Sequence, residues 1–211
     1  MRPIIALAPL SLLMSACAQG CAIAKGLYVA VVHDSGAPPR EERARIDARE
    51  AEMLRELSRR RLVVLPVAVL GRSPTRYDTA AAEAIARRLR AEGFSLTTAD
   101  SAGPSLPFEP QVNEAAIFWA RFHALAGEIA AHPRRDADYV LLVDVFGAPE
   151  RGLVGAVHAM AVTGTGEMAY RGLWNSHQPL YKEFQPRSLD DAARMVATDI
   201  VRRSADRALG E

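Results

Sequence analysis

LVVLPVAVL, residues 62–70, is an almost unbroken apolar run in which valine is the most frequent residue. The run is too short for a buried helix and lacks the alternation of a half-exposed strand, so it predicts a strand buried on both faces. Pro66 interrupts the run, and because proline has no N–H to donate, we expect it at an edge or a bulge of the sheet. The chain is therefore expected to fold around this strand.

A helix and a second strand are predicted directly after this run. Residues 71–74 form a turn, Asp78 or Thr79 is suited to cap a helix, and Gly93 is suited to end it. The apolar positions of this helix recur on one stripe: Ala81, Ala82, Ile85 and Leu89. Phe94 to Thr98 is predicted as the returning strand, so the three elements form a β–α–β unit with a right-handed crossover.

In the C-terminal half, the sequence pattern predicts a helix, three strands and a final helix. Asn113 to His132 is helical, with an apolar face made of Phe118, Phe122, Leu125 and Ile129. The strands are predicted at Asp138 to Phe146, Leu153 to Thr163 and Glu167 to Trp174. Thr163-Gly164-Thr165-Gly166 indicates a tight hairpin between the last two. The final helix is predicted from Ser188 to Leu209, opened by a capping box of Ser188 and Asp191.

Two elements are predicted before the first buried strand. Gly26 to His33, GLYVAVVH, favours a strand, and Arg40 to Arg60 favours a helix in which Arg and Glu surround a narrow apolar seam. The seam consists of Ile46, Met53, Leu54 and Leu57. Glu56 and Arg60 are spaced for an ion pair across one helical turn, so we interpret the charged face as solvated. A phosphate site through residues 59–61 is the alternative.

These elements together predict the α/β class. We expect a single compact domain with a mixed β-sheet flanked by helices, in which the β–α–β unit is followed by a helix, a three-strand meander and a C-terminal helix. The domain is assigned to residues 62–211, and the N-terminal strand and charged helix to residues 26–61. A chain of this length can bury one core without disulfides.

The first residues have the pattern of a lipoprotein signal peptide, assigned to residues 1–16. Arg2 supplies the positive start, residues 4–14 an apolar core that is too short to span a membrane, and Met14-Ser15-Ala16-Cys17 resembles the cleavage box before an acylated cysteine. Cys17 is therefore predicted to be the mature N-terminus and to carry lipid, including palmitate. An ordinary secretory signal with an incidental cysteine is the alternative.

The segment after the signal, residues 17–25, is predicted to be a short tether. Cys17 and Cys21 are the only cysteines, so once Cys17 is acylated, Cys21 is either a free thiol or an intermolecular bridge. Lipoproteins that stay in the inner membrane often carry aspartate directly after the acylated cysteine, and Ala18 stands there instead. The resemblance therefore implies the periplasmic face of the outer membrane.

Charge and motifs argue against several functional classes. The chain has 26 basic and 25 acidic residues, and loss of Arg2 with the signal leaves the mature chain formally neutral, so no global field recruits nucleic acid. The sequence has no nucleophile elbow, phosphate-binding loop, dinucleotide glycine motif or zinc-type spacing. The histidines are scattered along the chain, and none pairs with another at a metal-ligand spacing: His33, His123, His132, His158 and His177. Neither a metal nor a cofactor is expected.

Asp144 and His158 form the most informative polar pair, because each interrupts an apolar strand and the two strands are joined by a short turn. If the side chains face each other, the carboxylate would hold the imidazole and raise its pKa, as in a general base. The alternative is a structural cross-strand pair. We favour the structural role, because no candidate nucleophile lies in a suitable sequence context.

The segment from Asp100 to Pro110 is predicted to be a long loop, which makes it a candidate for binding. Leu106 and Phe108 lie between prolines, and a stiff, extended segment loses little entropy when it docks. The two side chains therefore either bind a partner or fold onto the core.

Four short patterns resemble a group of periplasmic lipoproteins: LVVLPVAVL, AEGFSLTTAD (residues 91–100), ADYVLLVDVFG (residues 137–147) and TGEMAYRG (residues 165–172). The group shares the compact α/β domain of the TolB N-terminal region, the penicillin-binding-protein activator LpoB, the curli-secretion lipoprotein CsgG and the GNA-type putative lipoproteins. The resemblance implies a non-enzymatic domain at the outer membrane that contacts another envelope protein, and it implies no catalytic residue.

The sequence thus predicts a lipid-anchored periplasmic accessory protein that acts by protein–protein contact in envelope assembly, secretion or cell-wall synthesis. Its partners would be the membrane, through the lipid, and an envelope protein, with homo-oligomerisation also open. The alternative is a periplasmic hydrolase or small-ligand-binding protein that uses Asp144 and His158. A subunit of an oligomeric export complex, assembled through residues 40–60, is a third interpretation.

Overall fold

The computed structural model describes residues 39–57, 59–71, 75–99, 114–134 and 136–208. Those ranges contain five α-helices and seven strands. The helices are α1 (Arg40–Glu56), α2 (Thr79–Ala91), α3 (Glu114–Ala131), α4 (Pro179–Phe184) and α5 (Leu189–Ala208). The strands are β1 (Leu62–Val64), β2 (Val67–Leu70), β3 (Arg76–Asp78), β4 (Leu96–Thr98), β5 (Tyr139–Ala148), β6 (Leu153–Thr163) and β7 (Met168–Asn175).

The strands form one mixed sheet built around β5. On one side, β1 and β2 pair in succession with β5, both parallel to it. Farther out, β4 pairs parallel with β1, and β3 pairs antiparallel with β2. On the other side, β6 and β7 continue as an antiparallel meander. The predicted α/β class is confirmed, as are the β–α–β unit of β1, α2 and β4 and the three-strand meander.

Pro66 divides the predicted first strand. The Leu65 N–H still donates to the Leu141 carbonyl at 2.9 Å, and the chain then resumes as β2 beside the same strand β5. Residues 62–70 are therefore two short strands and not one. Pro66 does not lie at an edge of the sheet, because both short strands have a neighbour on each side, but the pairing with β5 is interrupted there, as a residue without an N–H requires.

Both faces of the sheet are covered. Helices α2 and α5 bury one face, with Ile85, Leu89, Val196 and Ile200 in its core. Helix α3 covers the other, with Phe118, Trp119, Leu125 and Ile129 in a separate core. Helix α1 packs along β7 and contributes Met53 and Leu54 to the first core but Ile46 to the second. Leu57, directly after the helix, also belongs to the first core.

Local signals explain most of the boundaries. Asp78 caps α2, because its Oδ1 accepts the Ala81 N–H at 2.8 Å. The Ser188 hydroxyl accepts the Asp191 N–H at 3.1 Å, which confirms the predicted cap of α5. Gly166 has a φ of +89° in the hairpin between β6 and β7, where a β-carbon would lie 2.6 Å from a carbonyl oxygen of α3.

Several predictions lie outside the described residues. These are the signal peptide, the tether with Cys17 and Cys21, the strand at residues 26–33, and the loop with Leu106 and Phe108. In the part of the chain that the structure describes, no helix is both long and apolar enough to span a bilayer. Strand β3 and the short helix α4 were not predicted.

Candidate functional site

The candidate polar residues lie on neighbouring strands beneath α3. Asp144 of β5 and His158 of β6 are direct partners in the antiparallel register. Both are completely buried. Their side chains project to the same face of the sheet, because residues directly opposite each other in a β-ladder share a face.

Asp144 is paired with Arg121 of α3 and makes no hydrogen bond to His158, so the possibility that its carboxylate holds the imidazole is not realised. The Arg121 Nε and Nη2 groups donate to Asp144 Oδ2 and Oδ1 at 2.9 and 2.7 Å, and the two side chains are 3% and 0% exposed. A guanidinium supplies two parallel N–H groups to one carboxylate, which a single imidazole nitrogen cannot match. Burial alone would lower the pKa of Arg121, but the hydrogen bonds and charge of Asp144 raise it.

His158 is paired with the first residue of α3. Its Nε2 lies 2.9 Å from Glu114 Oε1, and the Asn175 amide donates to Glu114 Oε2 at 2.6 Å. The hydrogen bond from His158 lowers the pKa of Glu114, with the Asn175 amide in support and burial in opposition. The lowered pKa favours the ionised carboxylate of Glu114, which can only accept a hydrogen bond, so His158 Nε2 is the donor.

The other imidazole nitrogen has no hydrogen-bond partner. His158 Nδ1 is buried and unpaired with any described residue. The ring is enclosed by Phe146 at 4.5 Å and Phe118 at 5.7 Å between centroids.

Neither Arg121 nor Glu114 was predicted from the sequence as a partner of this pair, although the position of Arg121 is unusual. Arg121 lies within the apolar stripe of α3, between Phe118 and Leu125, where an arginine is out of place unless a buried acid receives it. Glu114 stands at the predicted start of the helix, where an acidic residue is favourable in any case. Its identity therefore gives no signal of a contact to His158.

A second buried polar cluster fastens α1 to the domain. Glu50 contacts Arg203 of α5 and accepts the Arg171 N–H of β7 at 3.3 Å. The fully buried Tyr170 hydroxyl donates to Asp199 at 2.6 Å, and the Arg203 guanidinium lies 5.0 Å from the Tyr170 ring. Burial raises the pKa of Glu50, although Arg203 opposes the shift. These contacts hold α1, β7 and α5 together.

An open pocket of about 490 Å³ lies at the edge formed by β2, β3 and the connection between β5 and β6. It is lined by Val69, Gly71, Arg76, Gly147, Ala148, Glu150, Arg151 and Leu153. Asp144 and His158 are not among these residues, so the sequence-predicted pair and the pocket are separate features. The described residues include no group of three His, Cys, Asp or Glu side chains suited to hold a metal ion.

Comparison with known proteins adds little. Neither a protein-family model nor a curated protein matches the chain. Among solved structures, a PelC dodecamer from Paraburkholderia phytofirmans is similar at 18% identity over 69% of this chain and 88% of that chain, with a TM-score of 0.34. A likeness this weak carries no argument, so the resemblance to envelope lipoproteins stays a prediction.

His158→Gln tests whether the buried pair is structural or catalytic. Glutamine can donate its amide N–H to Glu114 but cannot shuttle a proton, so we expect a folded protein that complements a null mutant as well as the wild type does. Thermal unfolding and complementation of the cellular phenotype are the measurements. A variant with an unaltered fold that failed to complement would revive the hydrolase interpretation.

Proposed function

We propose that this protein is a lipid-anchored accessory protein on the periplasmic face of the outer membrane, and that it acts by contact with another envelope protein. The observation that carries the proposal is the sequence of residues 1–17, in which a positive start, a short apolar core and a small-residue box precede Cys17. Acylation of Cys17 would fix the location of the domain. The domain itself would supply the contact.

The geometry of the polar groups supports contact over catalysis. The Arg121–Asp144 and Glu114–His158 pairs each join α3 to the sheet, and the Asp144 and His158 side chains have no exposed surface. A general base must reach a substrate within hydrogen-bond distance. Groups that are buried and committed to a packed helix are suited to hold that helix in place.

The lipid has a specific physical role in this proposal. Anchoring confines the domain near one membrane surface, which raises its effective concentration toward partners there without any additional contact. A modest docking surface on the domain is then sufficient for a specific complex. Leu106 and Phe108 remain the sequence-based candidates for that surface, and assembly with a second copy of the chain remains compatible with it.

Cys17→Ser tests the anchor. Each buried methylene of an acyl chain contributes about 0.8 kcal/mol, so removal of the acylated thiol should transfer most of the protein from the membrane to the soluble fraction of the envelope. Mass spectrometry of the mature N-terminus should show acylated Cys17 in the wild type.

Cys21→Ser is the matched control, because it removes the other thiol and leaves the cleavage box intact. This variant should remain in the membrane fraction. Full membrane retention of Cys17→Ser, or an unmodified Cys17 peptide from the wild type, would contradict the proposal.

A further inference from the structure

The pocket beside β2 and β3 has a floor made of backbone. A β-carbon on Gly71 would lie 2.5 Å from the Gly147 carbonyl oxygen, and one on Gly147 would lie 2.4 Å from the Leu153 carbonyl oxygen. Gly147 also has a φ of +128°, which L side chains rarely adopt. The ladder between β5 and β6 shifts register at this point, between Phe146 and Gly147. The close backbone packing fixes the floor, and no side chain from these glycines fills the space above it.

One wall of the pocket ends in an exposed leucine. Leu153 is 63% exposed, and among the described residues no other large hydrophobic side chain is exposed to this degree. Val69 contributes a second apolar surface to the lining. An aliphatic side chain in this pocket would remove the Leu153 surface from water, which is favourable in proportion to the apolar area buried.

The mouth of the pocket carries an excess of positive charge. Its described lining includes two arginines, Arg76 and Arg151, and one carboxylate, Glu150. Arg76 Nη2 lies 3.8 Å from Glu150 Oε2, with the side chains 56% and 54% exposed, and Arg151 makes no ion pair with a described residue. A long, solvated pair contributes little stability, so Arg76 can exchange Glu150 for an incoming carboxylate at small cost. The charge of the mouth therefore complements an acidic ligand.

We infer that this pocket is a docking surface for an aliphatic side chain that is flanked by carboxylates on a segment of another envelope protein. The inference rests on the proposed function and names the surface through which it would act. The aliphatic group would pack between Val69 and Leu153, and the flanking carboxylates would pair with Arg76 and Arg151. The pocket volume lies within the range of sites that enclose a small ligand.

Site-specific photo-crosslinking in the native envelope tests this surface. A photoreactive phenylalanine derivative replaces Leu153 in the full chain, with parallel positions at Leu106, Phe108 and, as a control on α3, the exposed Glu128. Mass spectrometry of the crosslinked peptide then identifies the chemistry of the occupant. We expect an adduct at position 153 with a peptide of another protein in which an aliphatic residue lies within a few positions of Asp or Glu.

Charge reversal provides the second measurement. Arg76→Glu combined with Arg151→Glu should lower the adduct yield at position 153 by about tenfold or more, because like charges placed opposite each other at an interface are strongly unfavourable. Arg45→Glu is the matched control, since Arg45 is an exposed arginine outside the pocket, and the yield should not change. Equal melting temperatures of these variants would show that the fold is unaffected.

Each other outcome overturns the inference in a distinguishable way. A basic or uncharged crosslinked segment, or a yield that survives charge reversal, contradicts the stated chemistry. A peptide from the same chain means that the pocket binds a second copy. Adducts at position 106 or 108 but none at 153 remove this pocket and leave the proposed function standing. Absence of any adduct at all four positions counts against both proposals.

Discussion

Arg121→Met should destabilise the domain by about 3–5 kcal/mol, since it removes one partner of a buried ion pair. Arg121 and Asp144 are 3% and 0% exposed and share two hydrogen bonds. Methionine retains much of the apolar stem of arginine but leaves the Asp144 carboxylate buried without a cation. Urea unfolding followed by circular dichroism measures the loss of free energy.

Two controls isolate the cause of that loss. In Arg121→Met combined with Asp144→Leu, no charge remains to be compensated, so much of the stability should return. Arg202 and Glu183 make a similar two-bond contact at 2.7 and 2.6 Å, but their side chains are about half exposed. Arg202→Met should therefore have a far smaller effect. Equal losses for Arg121→Met and Arg202→Met would contradict the assignment of a buried pair.

The fold could be predicted largely because its signals are local. The unbroken apolar run at residues 62–70, the hairpin turn at 163–166 and the cap at Ser188 each specify their own element within a few residues. The split at Pro66 was predictable as an interruption. The two halves of the run have different outer neighbours, β4 beside β1 and β3 beside β2. This difference was not predictable, because it depends on strands that lie farther along the chain.

The candidate site could be predicted only in part, because only some of its contacts are local in the sequence. The short connection from β5 to β6 fixes which strand residues lie opposite each other, so Asp144 and His158 could be matched from sequence. Their hydrogen-bond partners lie 23 and 44 residues away on α3, and helix periodicity alone does not place a helix over a particular strand position. The pocket is built from two distant stretches of the chain, residues 69–76 and 147–153, and neither has a motif of its own.

Val64→Asp should have the other large effect, a loss of about 4 kcal/mol or more, which approaches the total stability of many domains. Val64 is completely buried in β1, between β4 and β5, and it belongs to the core beneath α2 and α5. An aspartate there loses its hydration and has no cation to pair with. Val64→Thr replaces one methyl group with an uncharged hydroxyl of similar size, so it should remain folded with an intermediate loss if the aspartate variant does not fold.

The pH dependence of the Val64→Asp deficit would separate charge from shape. Burial raises the pKa of a carboxyl group, so the folded variant binds a proton more tightly than the unfolded chain does. Its stability relative to the wild type should therefore improve as the pH falls from the raised pKa of the folded state to the ordinary pKa of an unfolded aspartate, and the deficit should be constant and largest above that window. Thr97→Asp on the neighbouring strand β4 is the control, because Thr97 is exposed and its variant should show little of either effect. An unchanged urea midpoint for Val64→Asp would contradict the interior position of β1, and with it the β–α–β unit around which the domain is built.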